Sequence, residues 1–429
     1  LEALQARGFA ADPDSLLGST VGSNLLDPAL SDIASQEAEA TLNYQDLLDK
    51  APFECVLVGE SDYALPRVVM GDDPRRIDGV IWFHRGRRMT GDDFNGAYSP
   101  MSFAEIPYRT YWEKTASLYG MNAVLAAWLD DGRIAPEHIP SNMDEAEAVK
   151  KLHSICTVRI VTMDHCFLPC AYCSTARIPD FATGKFERSV FLKISDVTDL
   201  LRRIKRDVPR VLTIYDDSDE SFLGTKRGLE YADALLSIKS EMDVGTIRGI
   251  RYLVQTRSNE MTRELVQKLA AAGVRHLTFG VENASAFVRE SIRKRQDDQQ
   301  LLDLIDWCVE FGVTCYYLMI LFPPETRVED VQINVDVVGT WIAKGAVVSA
   351  EPFLMPYRGT PIMDDPHYTF EHVTYEVPFS GPPAKRLKWP TLVWPRCPQV
   401  RGILSYYRKT IDLAIQDAKR AAGHEHSFK

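Results

Sequence analysis

Three of the eight cysteines in this 429-residue chain fall in one short stretch, His165-Cys166-Phe167-Leu168-Pro169-Cys170-Ala171-Tyr172-Cys173. Intervals of three and two residues let a single loop fold back so that three thiolates serve one metal or iron–sulfur centre. Three is the informative count. A structural zinc site closes with four protein ligands, and an electron-transfer cluster also uses four cysteines. A three-thiolate loop therefore leaves one coordination position for a substrate. The bland alternative is a zinc loop whose fourth ligand is His165 or Cys156.

Composition narrows the partners. An apolar content of 45% and a charged content of 25% describe an ordinary water-facing chain, long enough for two or three cored domains. A net charge of −11 argues against broad phosphate-backbone binding, so no nucleic-acid partner is expected. No apolar run approaches the ~20 residues of a membrane helix. Clustered cysteines in such a chain favour a metal over disulfides, which predicts a reducing, cytoplasmic setting. The first residue is Leu1 and no secretory leader is visible, which predicts that the numbered chain begins inside a longer gene product.

The cysteine loop must be held by something, and the pattern around it supplies the frame. From Cys156 to about Leu354 strand-like segments alternate with amphipathic helices. Strands are predicted at Val158–Met163, Arg210–Tyr215, Arg251–Thr256, His276–Val281, Thr314–Leu321 and Val347–Phe353. Helices are predicted near Ser195–Lys205, Gly228–Lys239, Thr262–Ala272, Gln300–Phe311 and Val328–Ala343. Repeated units of this length imply a parallel sheet with right-handed crossovers, and such sheets carry their chemistry at the carboxyl ends of the strands. That rule selects Asp216-Asp217-Ser218-Asp219-Glu220 after the second strand, Gln255-Thr256-Arg257 after the third and Gly280-Val281-Glu282-Asn283 after the fourth. The acidic run lacks the spacing and central glycine of a calcium loop, so a substrate-facing rim is preferred, with Asp216 its chosen member.

The C-x3-C-x2-C run, with an aromatic directly before the last cysteine, resembles the signature of the radical S-adenosylmethionine (radical SAM) enzymes. The resemblance implies that Cys166, Cys170 and Cys173 hold a 4Fe-4S cluster and that SAM chelates its fourth iron. It implies a partial (β/α)6 barrel, a small-molecule substrate and an external one-electron reductant such as a flavodoxin or ferredoxin. Tyr172 maps onto the aromatic that packs near the adenine. Glu282 resembles the acid that bonds the ribose hydroxyls or amino group of SAM, a task that suits a strong acceptor. Arg257 and Lys294 match basic positions able to meet the methionine carboxylate. Against this stands the solvated-surface reading of any Arg or Lys on a barrel rim. Phe322-Pro323-Pro324-Glu325-Thr326 stands where relatives have a glycine-containing turn, so the pocket beside it should differ in shape. Pro356-Tyr357-Arg358-Gly359-Thr360-Pro361 resembles the turn that closes the family's barrel.

In front of the barrel, a strand running into Gly18-Ser19-Thr20-Val21-Gly22 precedes a strand and turn ending in Gly59-Glu60. Ile77–Phe83 then forms a hairpin with Arg88-Met89. Glycine turns alone are a weak signal. Their order resembles the second half of the cobalamin-binding domain fused to many radical SAM enzymes, with Gly18, Ser19, Thr20, Gly22, Gly59 and Glu60 at the matching positions. Two departures stand beside it: no Asp-x-His-x-x-Gly is present, and the opening strands of such a domain are missing, which leaves open a remnant that no longer binds cobalamin.

The expected organisation is an incomplete Rossmann-like cobalamin-binding-type domain over 1–100, a helical linker over 101–152, the partial barrel over 153–365 and a Pro/Trp-rich and helical extension over 366–429. In that extension, prolines from Pro390 to Pro398 exclude regular helix or central strand, and a helix is expected from about Val400 to Ala422. Trp389 and Trp394 are read as packing the tail against the barrel, in preference to a lid that brings Cys397 to the chemistry. Cys308 and Cys315 are read as core residues. The function expected is a cobalamin-dependent C-methyltransferase. The alternatives are a radical oxidation, cyclisation or rearrangement without methyl transfer, and, more remotely, a zinc-stabilised binding protein.

Overall fold

The structure, a computed structural model, describes residues 55–57, 80–84, 87–90 and 103–421, apart from 164–165, 167, 175–191, 219, 223, 247–248, 358 and 377–385. Strands β1 (Cys55–Leu57), β2 (Val80–His84) and β3 (Arg87–Thr90) form an antiparallel ribbon in that order. The predicted hairpin of Ile77–Phe83 with Arg88-Met89 is its second half. The rest of the Rossmann-like unit expected over 1–100 lies outside the described residues. Gly18, Ser19, Thr20, Gly22, Gly59 and Glu60 lie outside the described residues.

Helices α1 (Tyr108–Leu118), α2 (Asn122–Asp131) and α3 (Glu145–Ile155) precede the main sheet. Within the helical linker expected over 101–152, α1 and α2 are separate helices, because Gly120 takes a left-handed φ of 65° that turns the chain. Their tryptophans anchor them to the amino-terminal end of the sheet. The Trp112 indole donates to the Thr157 carbonyl at 3.2 Å and the Trp128 indole to the Arg210 carbonyl at 2.9 Å. α3 starts on an Asp144 side chain that accepts from Glu147 N, which satisfies one of the amides left open at a helix start.

The frame of the molecule is a six-stranded sheet in sequence order, every neighbouring pair parallel. It comprises β4 (Thr157–Ile160), β5 (Thr213–Asp216), β6 (Arg251–Thr256), β7 (Val274–Glu282), β8 (Thr314–Phe322) and β9 (Val347–Phe353). The crossovers are α4 (Ile194–Asp207), α5 (Thr225–Ser237), α6 (Arg263–Ala272), α8 (Asp298–Glu310) and α9 (Val328–Lys344), with the short α7 (Ala286–Ser291) before α8. β4, β6 and most of β8 alternate between buried and less buried residues. Val254, Leu277, Phe279 and Tyr317 point to the helices and join a buried core with Leu200, Leu235, Leu265, Leu304 and Trp341. Cys308 and Cys315 belong to this core, at 0% and 1% exposure. The intervening residues of β6 and β8, and His276 and Gly280 of β7, are less buried, as expected where helices cover one face and the other lines the open interior of a partial barrel.

After the barrel come α10 (Pro361–Asp364), the antiparallel pair β10 (Thr369–Glu376) and β11 (Arg386–Trp394), and α11 (Pro398–Ala421). The proline-rich stretch is thus a strand. Pro390 is accommodated because it sits at the register shift facing Glu371/His372 in a two-stranded ribbon, where a missing N–H costs least. Trp394 and Cys397 pack on a cluster of Phe322, Leu392, Val400 and Leu404, so this part of the tail is held against the barrel through apolar contact.

Candidate active site

The cysteine loop leaves β4 and is braced from below by a buried polar network. The Ser218 hydroxyl accepts from Thr162 N (2.8 Å) and Met163 N (3.1 Å) and donates to Asp216 Oδ1 at 2.6 Å. Asp216 Oδ2 accepts from the Thr162 hydroxyl at 2.6 Å and from the Tyr231 phenol of α5 at 3.0 Å. Both oxygens of Asp216 are thereby engaged on the helix side of the sheet. The acid chosen from the sequence is fastened into the scaffold, and strand alternation is the reason: Asp216 shares its face with buried Ile214. It is the next acid, Asp217, that meets a partner on the opposite face, the Arg159 guanidinium at 2.9 Å.

Further along, the loop is tied at two backbone points. Ala171 N donates to the Ile292 carbonyl at 2.9 Å, and Ile362 N donates to the Ala171 carbonyl at 3.1 Å. These bonds pin Cys170, Tyr172 and Cys173 between the end of α7 and the start of α10. Cys166, Cys170 and Cys173 are all partly exposed. Cys156 is fully buried before the start of β4, at the opposite end of that strand from the cysteine loop, and burial pushes its thiol far above the ordinary cysteine range. Among the described residues no three His, Cys, Asp or Glu side chains converge as a single ion would require. A cluster offers a separate iron to each thiolate, whereas one zinc would need a fourth protein ligand, and the candidate His165 lies outside the described residues.

Opposite the loop, β7 ends in an irregular turn. The pairing of β7 with β8 shifts register between Gly280 and Glu282, and Glu282 takes a left-handed φ of 68°, a conformation that costs a non-glycine residue on the order of 1 kcal/mol or more. The bulge swings the Glu282 carboxylate back over Gly280. Lys294 Nζ lies 3.0 Å from Glu282 Oε1, with both side chains about nine-tenths buried. Arg293, with φ of 58°, supplies the matching turn before Lys294. A methyl group on Gly280 would collide with Glu282 Oε1 and lie 3.0 Å from Lys294 Nζ. The ion pair therefore occupies the space that only a glycine leaves open.

Three of the sequence-selected residues meet here. The Tyr172 phenol donates to the Glu282 carboxylate. Burial, then Glu282 and then the Cys170 and Cys173 sulfurs, hold that phenol well above its usual pKa. Burial pulls the Lys294 ammonium down, but Glu282 and the nearby Cys170 sulfur outweigh it, and the ammonium stays charged. Arg257, beyond the end of β6, is close enough to oppose that charge, and its Nε is buried without a hydrogen-bond partner among the described residues. An orphaned guanidinium N–H costs free energy unless a ligand meets it.

Chemically, a thiolate loop, a paired acid and base and an unsatisfied guanidinium converge at the carboxyl end of a parallel sheet. They suit a ligand that carries both an ammonium and a carboxylate, since the ammonium can turn to Glu282 and the carboxylate to Lys294 and Arg257. The turn at Pro323-Pro324-Glu325 is clamped by the tail: Glu325 Oε1 accepts from the Tyr368 phenol (2.9 Å) and from Arg396 Nη1 (3.1 Å), and Arg396 N donates to the Pro324 carbonyl (2.8 Å). Sequence reasoning missed these contacts, because residues 43 and 71 positions away in the chain carry no local signal.

Residues 160–333 match the family model of the radical SAM superfamily. The fold is similar to that of TsrM from Kitasatospora setae, a radical S-adenosylmethionine methyltransferase solved with cobalamin and a 4Fe-4S cluster. That likeness has 15% identity and a TM-score of 0.50, and covers 76% of this chain and 55% of that one. It is also similar to OxsB, a cobalamin-dependent S-adenosylmethionine radical enzyme, in its apo form. There the identity is 13% and the TM-score 0.52, over 92% of this chain and 57% of that one. The chain thus spans little more than half the length of either. At these identities the likeness establishes the fold. No curated protein matches the chain.

Proposed function

We propose that this chain, whose residues 160–333 form a radical SAM domain, is a cobalamin-dependent radical SAM methyltransferase acting on a carbon of a small molecule. The observation that carries the radical SAM part is the contact between the cysteine loop and the buried ion pair: Tyr172, one residue from Cys173, bonds Glu282, which bonds Lys294. In this reading Cys166, Cys170 and Cys173 hold a 4Fe-4S cluster. Glu282, Lys294 and Arg257 take the amino-acid end of SAM, and Tyr172 walls its adenine side. When bound, the reduced cluster supplies the electron that splits SAM into methionine and a 5′-deoxyadenosyl radical, and cobalamin supplies a methyl group. The chain's own task is to orient its ligands and exclude water, for which a clamped loop and a nearly dry ion pair are suited. An external one-electron carrier, a flavodoxin or ferredoxin, charges the cluster.

Cobalamin enters through the likeness to TsrM, whose structure is described with it, and to OxsB, which is described as cobalamin-dependent. A second reading keeps the radical chemistry and drops methyl transfer. The sequence favours it in one respect, since it contains no Asp-x-His-x-x-Gly. The test is anaerobic purification of iron-reconstituted protein with hydroxocobalamin and SAM. Iron and sulfide in near-equal amounts, with dithionite-dependent release of 5′-deoxyadenosine, support radical SAM chemistry. Retained cobalamin supports the methyltransferase, and its loss supports the second reading. Zinc without sulfide would remove both.

A further inference from the structure

The open face of the sheet has a composition that cofactor binding leaves unused. Strand register sets its layers. Gly280 pairs with Leu318 at the level of the Glu282–Lys294 ion pair. One layer below, about 7 Å along the strands, Gln255 pairs with Thr278 and Thr278 with Tyr316. Below that again, Arg159 pairs with Tyr215, Tyr215 with Leu253 and Leu253 with His276. All of these side chains alternate with the buried, helix-facing residues of their strands, so they share the interior of the barrel with Gly280.

Their contacts form one connected wall. The Tyr215 phenol donates to Gln255 Oε1 at 3.2 Å, which leaves the Gln255 NH₂ as a donor. His276 Nε2 lies 2.9 Å from the Thr278 hydroxyl, and its ring lies 5.1 Å from that of Tyr316 at 34°. Leu318 continues the apolar side toward the ion pair. Among the described residues the charge at these levels is one pair, Arg159 bonded to Asp217 and stacked at 5.4 Å over the Tyr215 ring, with Arg251 a layer further down on the same face of β6. Burial pushes the His276 imidazole down to about 4, so it is neutral at physiological pH.

A wall of phenol rings and leucine with amide, hydroxyl and imidazole edges offers stacking and hydrogen bonds. It offers no free ion to meet a charged group, and a charged group placed there would be desolvated without repayment. We infer that this inward face is the substrate chamber and that it takes an uncharged aromatic ring with hydrogen-bonding edge atoms, seated between Tyr316 and Gln255 below the ion pair. The inference deepens the function proposed above and rests on it only for the word substrate. The binding itself needs neither SAM nor an electron.

The test is saturation-transfer NMR on the full chain without SAM or reductant, using phenol and benzimidazole as ring probes and cyclohexanol and butyrate as controls. Both ring probes are expected to bind and both controls to fail. Tyr316→Leu and, separately, Gln255→Leu should each weaken probe binding at least tenfold, with a melting temperature and an iron–sulfur absorption that report an intact fold. The chamber assignment is overturned if no ring probe binds, if the controls bind as well as the rings, or if both folded variants bind like the wild type. Failure of radical SAM chemistry would appear instead as absent 5′-deoxyadenosine in the wild type, whatever the probes do.

Discussion

Lys294 and Glu282 face each other at 3.0 Å across the bare Cα of Gly280, and the register shift in β7 is what brings the acid there. Gly280 has no positive φ, so its role is spatial. Gly280→Ala should leave the fold standing, since the atoms in the way are the ends of flexible side chains, while displacing both charges. A weakening of SAM binding by about tenfold, or ~1.4 kcal/mol, is expected from equilibrium dialysis, with little change in melting temperature. Unchanged affinity would mean that the ion pair lies outside the SAM site.

Cys170→Ala removes one of three thiols on a loop whose backbone bonds run through its neighbour Ala171. The loop should therefore keep its path. Reductive SAM cleavage should fall to background while circular dichroism and the melting curve stay close to wild type. Residual cleavage with a full complement of iron would show that Cys170 is not a ligand.

Asp216→Ala would orphan three donors at once, the hydroxyls of Thr162, Ser218 and Tyr231. With each abandoned buried group costing about 1–3 kcal/mol, a loss of at least ~3 kcal/mol is expected in chemical denaturation. A direct contact of Asp216 with SAM would instead show as lost SAM affinity with stability retained.

The neutral His276 gives the stability a pH dependence of definite sign. Its pKa in the fold is about 4, against an ordinary value of 6.5. Between those values the unfolded chain binds the proton and the folded chain does not, so this residue's contribution rises with pH. It is fully present above pH 6.5 and is lost as pH falls toward 4. His276→Gln should flatten that part of the stability profile, as measured by urea midpoints across the window. An unchanged slope would show that the imidazole is solvated.

Much of the fold was legible locally. All six predicted strands of the barrel and its five long helices lie within a few residues of where the structure has them, because one helix-buried face writes a period into each segment. The cysteine spacing likewise needs no fold to be read, since three ligands on one short loop are neighbours in any conformation. Two elements escaped the sequence. α7 is too short to show a period, and β11 carries a proline, Pro390, that is tolerated because its ribbon has two strands.

What the sequence determined by itself is therefore the sheet, its order of elements and the loop that could carry a cluster. Only the tertiary structure decided which way each carboxylate points: Asp216 into the scaffold beside Tyr231, Asp217 toward Arg159, Glu282 over Gly280 by way of a left-handed turn. Composition marks a residue as able to do chemistry, but strand alternation, a one-residue bulge and partners far along the chain choose its face. Those are properties of packing between segments, and no single segment contains them.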